Sequence, residues 1–392
     1  MRANIEDYRH AARRFLPAFA YGYLEGGAEN EITYRRNRQV IEALLFSPRA
    51  LVDVADVRTG VHVAGCTLAW PAVVGPTGLN GLYRHGADES LARQAHLAGL
   101  PFALSTASTS LIESVREASG GELWLQLYVQ RDRRIAESMM ARAQDCGYST
   151  LLLTVDTAVA GQRDHYRRTG FTLPVRWSPR LLLDLARHPR WVAAVGRHGM
   201  PQLVNLARSA GIGPDLMQQA AAMSREMDMS LGWQDLAWIR RHWRGKILVK
   251  GIQSVADTLL ARRHGADGVV LSNHGGRQLD GAPSAFDILP QAVAAVPRSF
   301  EILVDGGIRR GSDIVKAVAL GARAVLLGRA PLYGLAAGGE RGCGEVLTLL
   351  RREMEICMRL LGCADVGGLN SSFLLSDHGG AHRREPLERT AA

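Results

Sequence analysis

From residue 71 onward, short apolar runs alternate with segments whose apolar residues recur every three to four positions, the pattern of strand–helix units feeding a parallel sheet. The runs lie at 71–75, 101–105, 123–129, 150–156, 246–251, 267–273, 301–307 and 323–328, and stretches such as SVADTLLARRHGA and GSDIVKAVALGA stand between them. Eight units predict an α/β fold closed into a (β/α)8 TIM barrel. The alternative, a doubly wound open sheet, usually has fewer parallel strands and carries its glycine signature after the first. Here the glycines cluster late, in DGGIRRG and LGR, on the loops after runs seven and eight where barrel phosphate sites lie.

The chain reads as one domain over 1–392, with segments outside the repeat. Residues 1–70 hold an amphipathic helix near 5–20, then YGYLEGGAENE and a connector containing Pro48; they are expected to cap the barrel base and return a loop to its mouth. An insertion at 162–230 separates runs four and five, where an ordinary loop takes a few residues. Residues 374–392 read as a flexible tail.

Composition narrows the function classes. Hydrophobic residues at 47% and charged residues at 22% suffice for a sizeable core. A net charge of +9 points to nucleic acid, an anionic membrane or acidic small molecules. Without an aromatic RNA-binding motif, zinc-finger spacing or basic heptads, nucleic acid has only bulk charge behind it. The five cysteines form no C-x-x-C pair, which argues against a disulfide framework or a metal site and for a reducing cytoplasm. No signal-type apolar core and no run of about eighteen uncharged apolar residues is present.

Catalytic groups of such barrels come from the C-terminal ends of strands. Those positions hold Thr77, Ser105, Gln126, Tyr128, Thr154, Asp156, Lys250, Ser272, His274, Asp305 and Arg329. Any one alone could be a satisfied core group, but an unpartnered polar group costs roughly 2–7 kcal/mol, so their convergence implies a polar ligand or mutual pairing. Gly306, Gly307 and Gly311 with Arg309 and Arg310 read as an anion cradle opening a helix near Ser312, with Gly328 and Arg329 as a second set of donors. A lone loop of this kind is equally an ordinary left-handed turn. In SNHGGRQLD, His274 offers an acid/base and Arg277 a planar fork for a carboxylate, a pair that suits a 2-hydroxy acid. Tyr23 and Tyr128 could add phenol donors, and Asp156 could pair with protonated His274.

The motifs YLEGGAE, GPTG, LSTAS, QLYV, LTVD, LVKG, SNHGGRQLD, DGGIRRGSDIVKAVALGA and LLGR, in order from about Tyr8 to Phe373, resemble those of the FMN-dependent 2-hydroxy acid oxidising family. The resemblance implies flavin mononucleotide (FMN) as cofactor and His274 as the group that takes a proton from substrate, whether from carbon or from the hydroxyl. It implies that Asp156 stabilises the imidazolium, that Arg277, Tyr23 and Arg163 hold the carboxylate, and that Tyr128 contacts the hydroxyl. Lys250 would lie by the flavin's N1 and O2 edge. Ser105, Gln126, Thr154 and Ser272 would serve its ring, Thr77 and Gly78 its N5 side, and Asp305 its ribityl chain. Gly307, Arg309, Gly328 and Arg329 would bind the phosphate.

GPTGLNG, HPRW and RHGMPQL are similar to the mandelate dehydrogenase branch of that family. Gly78, where oxidases of the family commonly carry Ala, then implies a dehydrogenase, and Ala107, where glycolate oxidases carry Trp, implies a roomy pocket for an aromatic (S)-2-hydroxy acid. The alternative is an oxidase of the lactate or glycolate type that yields hydrogen peroxide. The insertion mixes arginines with Trp177, Leu181, Leu182, Leu183, Trp191, Val192 and Leu203, which suits either a lid packed on the barrel or a segment lying on an anionic bilayer. The resemblance favours the bilayer, on the cytoplasmic face, with a membrane quinone as electron acceptor, and a homotetramer. Another FMN barrel, or a flavin-binding protein without catalysis, would have no reason to keep Asp156, His274, Arg277 and Tyr128 together.

Overall fold

The computed structural model describes residues 2–170, 178–211, 219 and 226–375. The eight predicted runs are eight parallel strands: β1 (Ala72–Val74), β2 (Phe102–Ser105), β3 (Leu123–Leu127), β4 (Thr150–Thr154), β5 (Lys246–Ile252), β6 (Gly268–Leu271), β7 (Glu301–Val304) and β8 (Ala324–Leu327). Each pairs with the next, and β8 pairs with β1 to close the ring. Closure removes both sheet edges, and helices cover the outside.

Side chains alternate along a strand, so every second residue faces the barrel axis. Val73, Ala103, Trp124, Leu152, Leu248, Val270, Leu303, Ala324 and Leu326 fill the lower interior as one apolar cluster. A hairpin, Val61–Val63 paired with Cys66–Leu68, closes the base by adding Val63, Ala64 and Leu68 to it. Its two-residue turn at Ala64 and Gly65 has positive φ at both positions, matching the strand twist. Two residues further up, the same parity delivers Gly75, Ser105, Gln126, Thr154, Lys250, Ser272, Asp305 and Gly328 to the mouth. Polar chemistry at one end and a dry plug at the other thus follow from a single strand register.

The expected helix at 5–20 is two helices, α1 (Ile5–Phe15) and α2 (Ala18–Glu25). Pro17 separates them: Leu16 before it is extended (ψ 137°), as the residue preceding proline prefers. Asn4 caps α1, whose Ile5, Tyr8 and Ala12 are buried. Helix α2 runs to the barrel mouth, and α3 (Ile32–Ala43) lies against the loop after β7. Leu374 and Leu375, expected to open the flexible tail, instead pair antiparallel with Phe46 and Leu45, and the rest of that expected tail lies outside the described residues.

The insertion contributes helices Asp164–Thr169, Pro179–Ala186, Pro189–His198 and Val204–Ala210. Trp191, expected on a membrane surface, is 5% exposed: it packs edge-on against Phe19 at 5.4 Å, and its Nε1 donates to Leu82 O at 2.8 Å. Leu203 is likewise buried. Asn205 ties the last of these helices to the barrel through Ile112 N and Ser110 O. Leu182, Leu183 and Val192 remain exposed, among exposed Arg180, Arg187, Arg190 and Arg197. Trp177 lies outside the described residues. No helix among the described residues is long and apolar enough to cross a membrane.

Candidate active site

A cavity opens at the C-terminal mouth of the barrel. Tyr23, Thr77, Gly78, Ser105, Tyr128, Arg163 and Lys250 line it, as do His274, Arg277, Asp305, Gly307, Arg309, Gly328 and Arg329. Gln126, Ser272 and Asp156 hydrogen-bond residues that line it, and Thr154 accepts from Gln126.

The floor is cross-linked. Ser105 Oγ donates to Gln126 Oε1 at 2.9 Å, and Gln126 Nε2 donates to Thr154 Oγ1 at 3.0 Å. Lys250 Nζ donates to Ser272 Oγ at 3.1 Å and meets Asp305 Oδ2 at 3.1 Å. Burial alone would push the ammonium's pKa down, but Asp305 and Asp156 outweigh it and the net shift is upward. Lys250 is therefore a fixed positive charge in a dry floor.

Above the floor, three consecutive left-handed residues, His274 (φ 58°), Gly275 and Gly276, turn the chain back after β6. A non-glycine residue rarely adopts this conformation, which marks His274 as a constrained position. Its N–H donates to Ser272 Oγ at 3.0 Å. Its Nδ1 lies 3.0 and 3.2 Å from the two oxygens of Asp156. An ionised carboxylate only accepts, so Nδ1 carries the hydrogen and Nε2 presents a lone pair, 3.4 Å from the Tyr128 hydroxyl. Burial is the main cause that lowers the His274 pKa, with Lys250 adding to it and Asp156 opposing. Burial would raise the Asp156 carboxyl, but His274 and Lys250 bring it below its ordinary value. Burial, then Asp156, keeps the Tyr128 phenol protonated. The neighbouring Gly251 (φ 103°) leaves space for Asp156; a Cβ there would sit 2.7 Å from its side chain.

The two arginines of the expected clamp converge on a residue that sequence reasoning missed. Arg277 Nη2 and Arg163 Nη1 both donate to the Tyr166 hydroxyl, at 2.6 and 3.1 Å. Arg277 also donates to Tyr23 O and Gly26 O, and Arg163 Nε to Arg277 O. Tyr166 follows Arg163 by three positions on one helical face, a spacing that could have flagged it. Gln278, quoted within its motif but given no role, locks the loop: its amide donates to Asp156 O and Val159 O and accepts from Arg163 and Gly161.

The anion cradle needs one correction. The N–H groups of Arg309 and Arg310 donate to Asp313 Oδ2, and that of Gly311 to Glu353 Oε2. Helix Gly311–Ala319 is thus capped internally, and its terminus is not the anion site. Arg310 turns outward to Glu353 at 3.0 Å. What remains lining the cavity is Gly306, Gly307 (φ 88°), Arg309, Gly328 and Arg329. A Cβ at position 307 would lie 2.7 Å from Asn37 O on α3, so only glycine fits.

These residues fit FMN. Asp305 Oδ1 is buried with no hydrogen-bond partner among the described residues, an acceptor that a ribityl hydroxyl would satisfy. Lys250 supplies the positive charge that suits a reduced flavin, and Arg309 and Arg329, which line the same cavity, are cations of the kind a terminal phosphate would need.

Comparison with known proteins agrees. A model of the FMN-dependent dehydrogenases matches residues 12–376. The chain is 48% identical to the (S)-mandelate dehydrogenase of Pseudomonas putida, over 95% of this chain and 94% of that one. It is 41% identical to an L-lactate dehydrogenase of Yersinia pestis, over 95% and 98%. A solved structure described as monotopic membrane protein (S)-mandelate dehydrogenase superposes with a TM-score of 0.92 at 47% identity, covering 95% and 99% of the two chains. With the closed barrel, the flavin-compatible floor and the histidine–carboxylate pair already in place, these matches establish that the chain belongs to the FMN-dependent dehydrogenase family and oxidises 2-hydroxy acids with FMN.

Proposed function

We propose that the substrate is (S)-mandelate or a related aromatic 2-hydroxy acid, oxidised to the 2-oxo acid, with the electrons passing to a membrane quinone. The observation that carries the substrate is the pairing of Gly78 with Ala107 on the cavity wall: a Cβ added at Gly78 would meet the Ala107 Cβ at 2.9 Å. Both side chains are minimal, so this stretch of wall carries no bulky group that would exclude an aromatic ring. The mandelate dehydrogenase relative supports the same reading. The L-lactate dehydrogenase relatives favour a second one, a small aliphatic acid, which the Ala107 wall does not require.

FMN, when bound, supplies the two-electron acceptor. Gly307, Arg309, Gly328 and Arg329 would hold its phosphate, Asp305 its ribityl chain, and Ser105, Gln126, Thr154, Ser272 and Lys250 its ring, with Thr77 and Gly78 alongside. Arg277 and Arg163 bind the substrate carboxylate with Tyr23, and Tyr128 donates to the substrate hydroxyl. His274 Nε2 takes the proton, and Asp156, facing Nδ1, stabilises the imidazolium that results. A neutral imidazole is what the step needs, and burial keeps it so.

We further propose that the enzyme sits on the cytoplasmic face of the membrane as a tetramer, with the exposed leucines and arginines of helices Pro179–Ala186 and Pro189–His198 against anionic lipid. The structural relative described as a monotopic membrane protein supports the membrane contact. Sedimentation with anionic liposomes at low salt, lost as salt rises, tests the membrane contact. Rates of reduction by (S)-mandelate and L-lactate test the substrate.

A further inference from the structure

Glu25, at the end of α2, is a carboxylate only 8% exposed. Such a group persists as a charge only if partners replace its water. It has four. Oε1 accepts from the Tyr34 hydroxyl and from Arg9 Nε at 3.1 Å. Oε2 accepts from the Tyr333 hydroxyl at 2.7 Å and from Tyr21 at 3.5 Å. Burial raises its pKa, but Arg329, Arg9 and the two closer phenols outweigh that and bring it to about 2.

The two closer phenols lead to the cradle. The Arg329 guanidinium lies over the Tyr34 ring, 4.8 Å from its centroid, and the Arg309 guanidinium over the Tyr333 ring at 5.4 Å. A guanidinium over a ring face is attracted within about 6 Å, so each ring is a platform for one arginine. The carbonyls flanking Glu25 act on the same side chain: Arg329 donates to Leu24 O at 3.1 Å and to Gly26 O at 3.2 Å. One carboxylate thereby fixes both platforms, on α3 and on helix Arg329–Leu361.

We propose that Glu25 is a positioning residue for the FMN phosphate, fixing the Tyr34 and Tyr333 rings on which Arg329 and Arg309 rest. The inference builds on the assignment of Arg309 and Arg329 to the phosphate. It acts against simple charge counting, because a negative group behind two phosphate-binding arginines weakens their pull on an anion.

That opposition of sign makes a test. Holoenzyme carrying FMN, and holoenzyme exchanged into riboflavin, which lacks the phosphate, are diluted and flavin release is followed by fluorescence to give each Kd. Glu25→Gln should weaken FMN by about tenfold or more, the scale of one displaced charge-assisted contact, and riboflavin by less than about twofold. Tighter or unchanged FMN binding would overturn the proposal, and equal weakening of both flavins would reduce Glu25 to general support of the fold and overturn it too. If Glu25→Gln does not fold, Tyr34→Phe/Tyr333→Phe, which keeps both rings and removes their anchors, carries the same arms. Arg309→Met/Arg329→Met separates the two readings. If it leaves FMN binding unchanged, the phosphate assignment itself fails; if it weakens FMN alone while the Glu25 variant does not, only the role of Glu25 fails.

Discussion

At the scale of single residues, the proposed chemistry rests on a histidine whose Nδ1 is held by a carboxylate and whose Nε2 lies near the Tyr128 hydroxyl. Replacing His274 with Asn should leave FMN bound and slow its reduction by substrate by roughly 10²–10⁴, the range for a lost general base, as stopped-flow absorbance would show. The pH dependence has a definite sign. The base must be neutral, and burial and Lys250 disfavour the imidazolium more than Asp156 favours it. The kcat/KM for substrate should therefore hold at neutral pH and fall only below about 6.5, the ordinary imidazole value. Asp156→Asn removes the one influence that raises this pKa, so the acid limb should move to lower pH while the plateau drops. A limb that moves upward would contradict the pairing. On the cavity wall, Ala107→Trp should cost (S)-mandelate about 10–200-fold in kcat/KM relative to L-lactate, the discrimination available to steric fit in a pocket.

Elements differ in how far their roles were legible. The barrel strands were visible because each is a short apolar run whose parity changes from apolar to polar at the mouth, as in Leu152 and Thr154 or Leu248 and Lys250. The insertion was not, because an arginine-rich amphipathic pattern looks alike whether its apolar face meets protein or lipid. Trp191 and Leu203 face the protein, and Leu182 and Leu183 do not. Excision of the whole segment would thus remove packing as well as surface. Trp191→Ala should lower unfolding stability by about 3–5 kcal/mol in denaturant titration, the cost of emptying a buried aromatic site. Leu182→Ser/Leu183→Ser should leave stability within about 0.5 kcal/mol, since exposed positions contribute little, yet weaken liposome binding. Unchanged liposome binding in that variant would make the two helices a lid.

Across the whole molecule, an apolar plug closes one end of the barrel and a polar layer opens the other, and the N-terminal helices complete the cofactor end from outside the repeat. The His274, Asp156 and Arg277 set was readable because its members end strands or share one motif. Glu25 and Tyr333 were not, because they come from elements distant in sequence and no local pattern joins them; Tyr166 had a local signal, its place three positions after Arg163, that went unread. The central claim, that this barrel uses His274 and FMN to oxidise an aromatic (S)-2-hydroxy acid, is tested most directly by anaerobic stopped-flow reduction of the holoenzyme with (S)-mandelate, (R)-mandelate and L-lactate. Rapid flavin bleaching by (S)-mandelate, slower bleaching by L-lactate and none by (R)-mandelate is the expected result. A flavin that L-lactate bleaches faster than (S)-mandelate would overturn the aromatic substrate, and one that no 2-hydroxy acid bleaches would contradict the claim altogether.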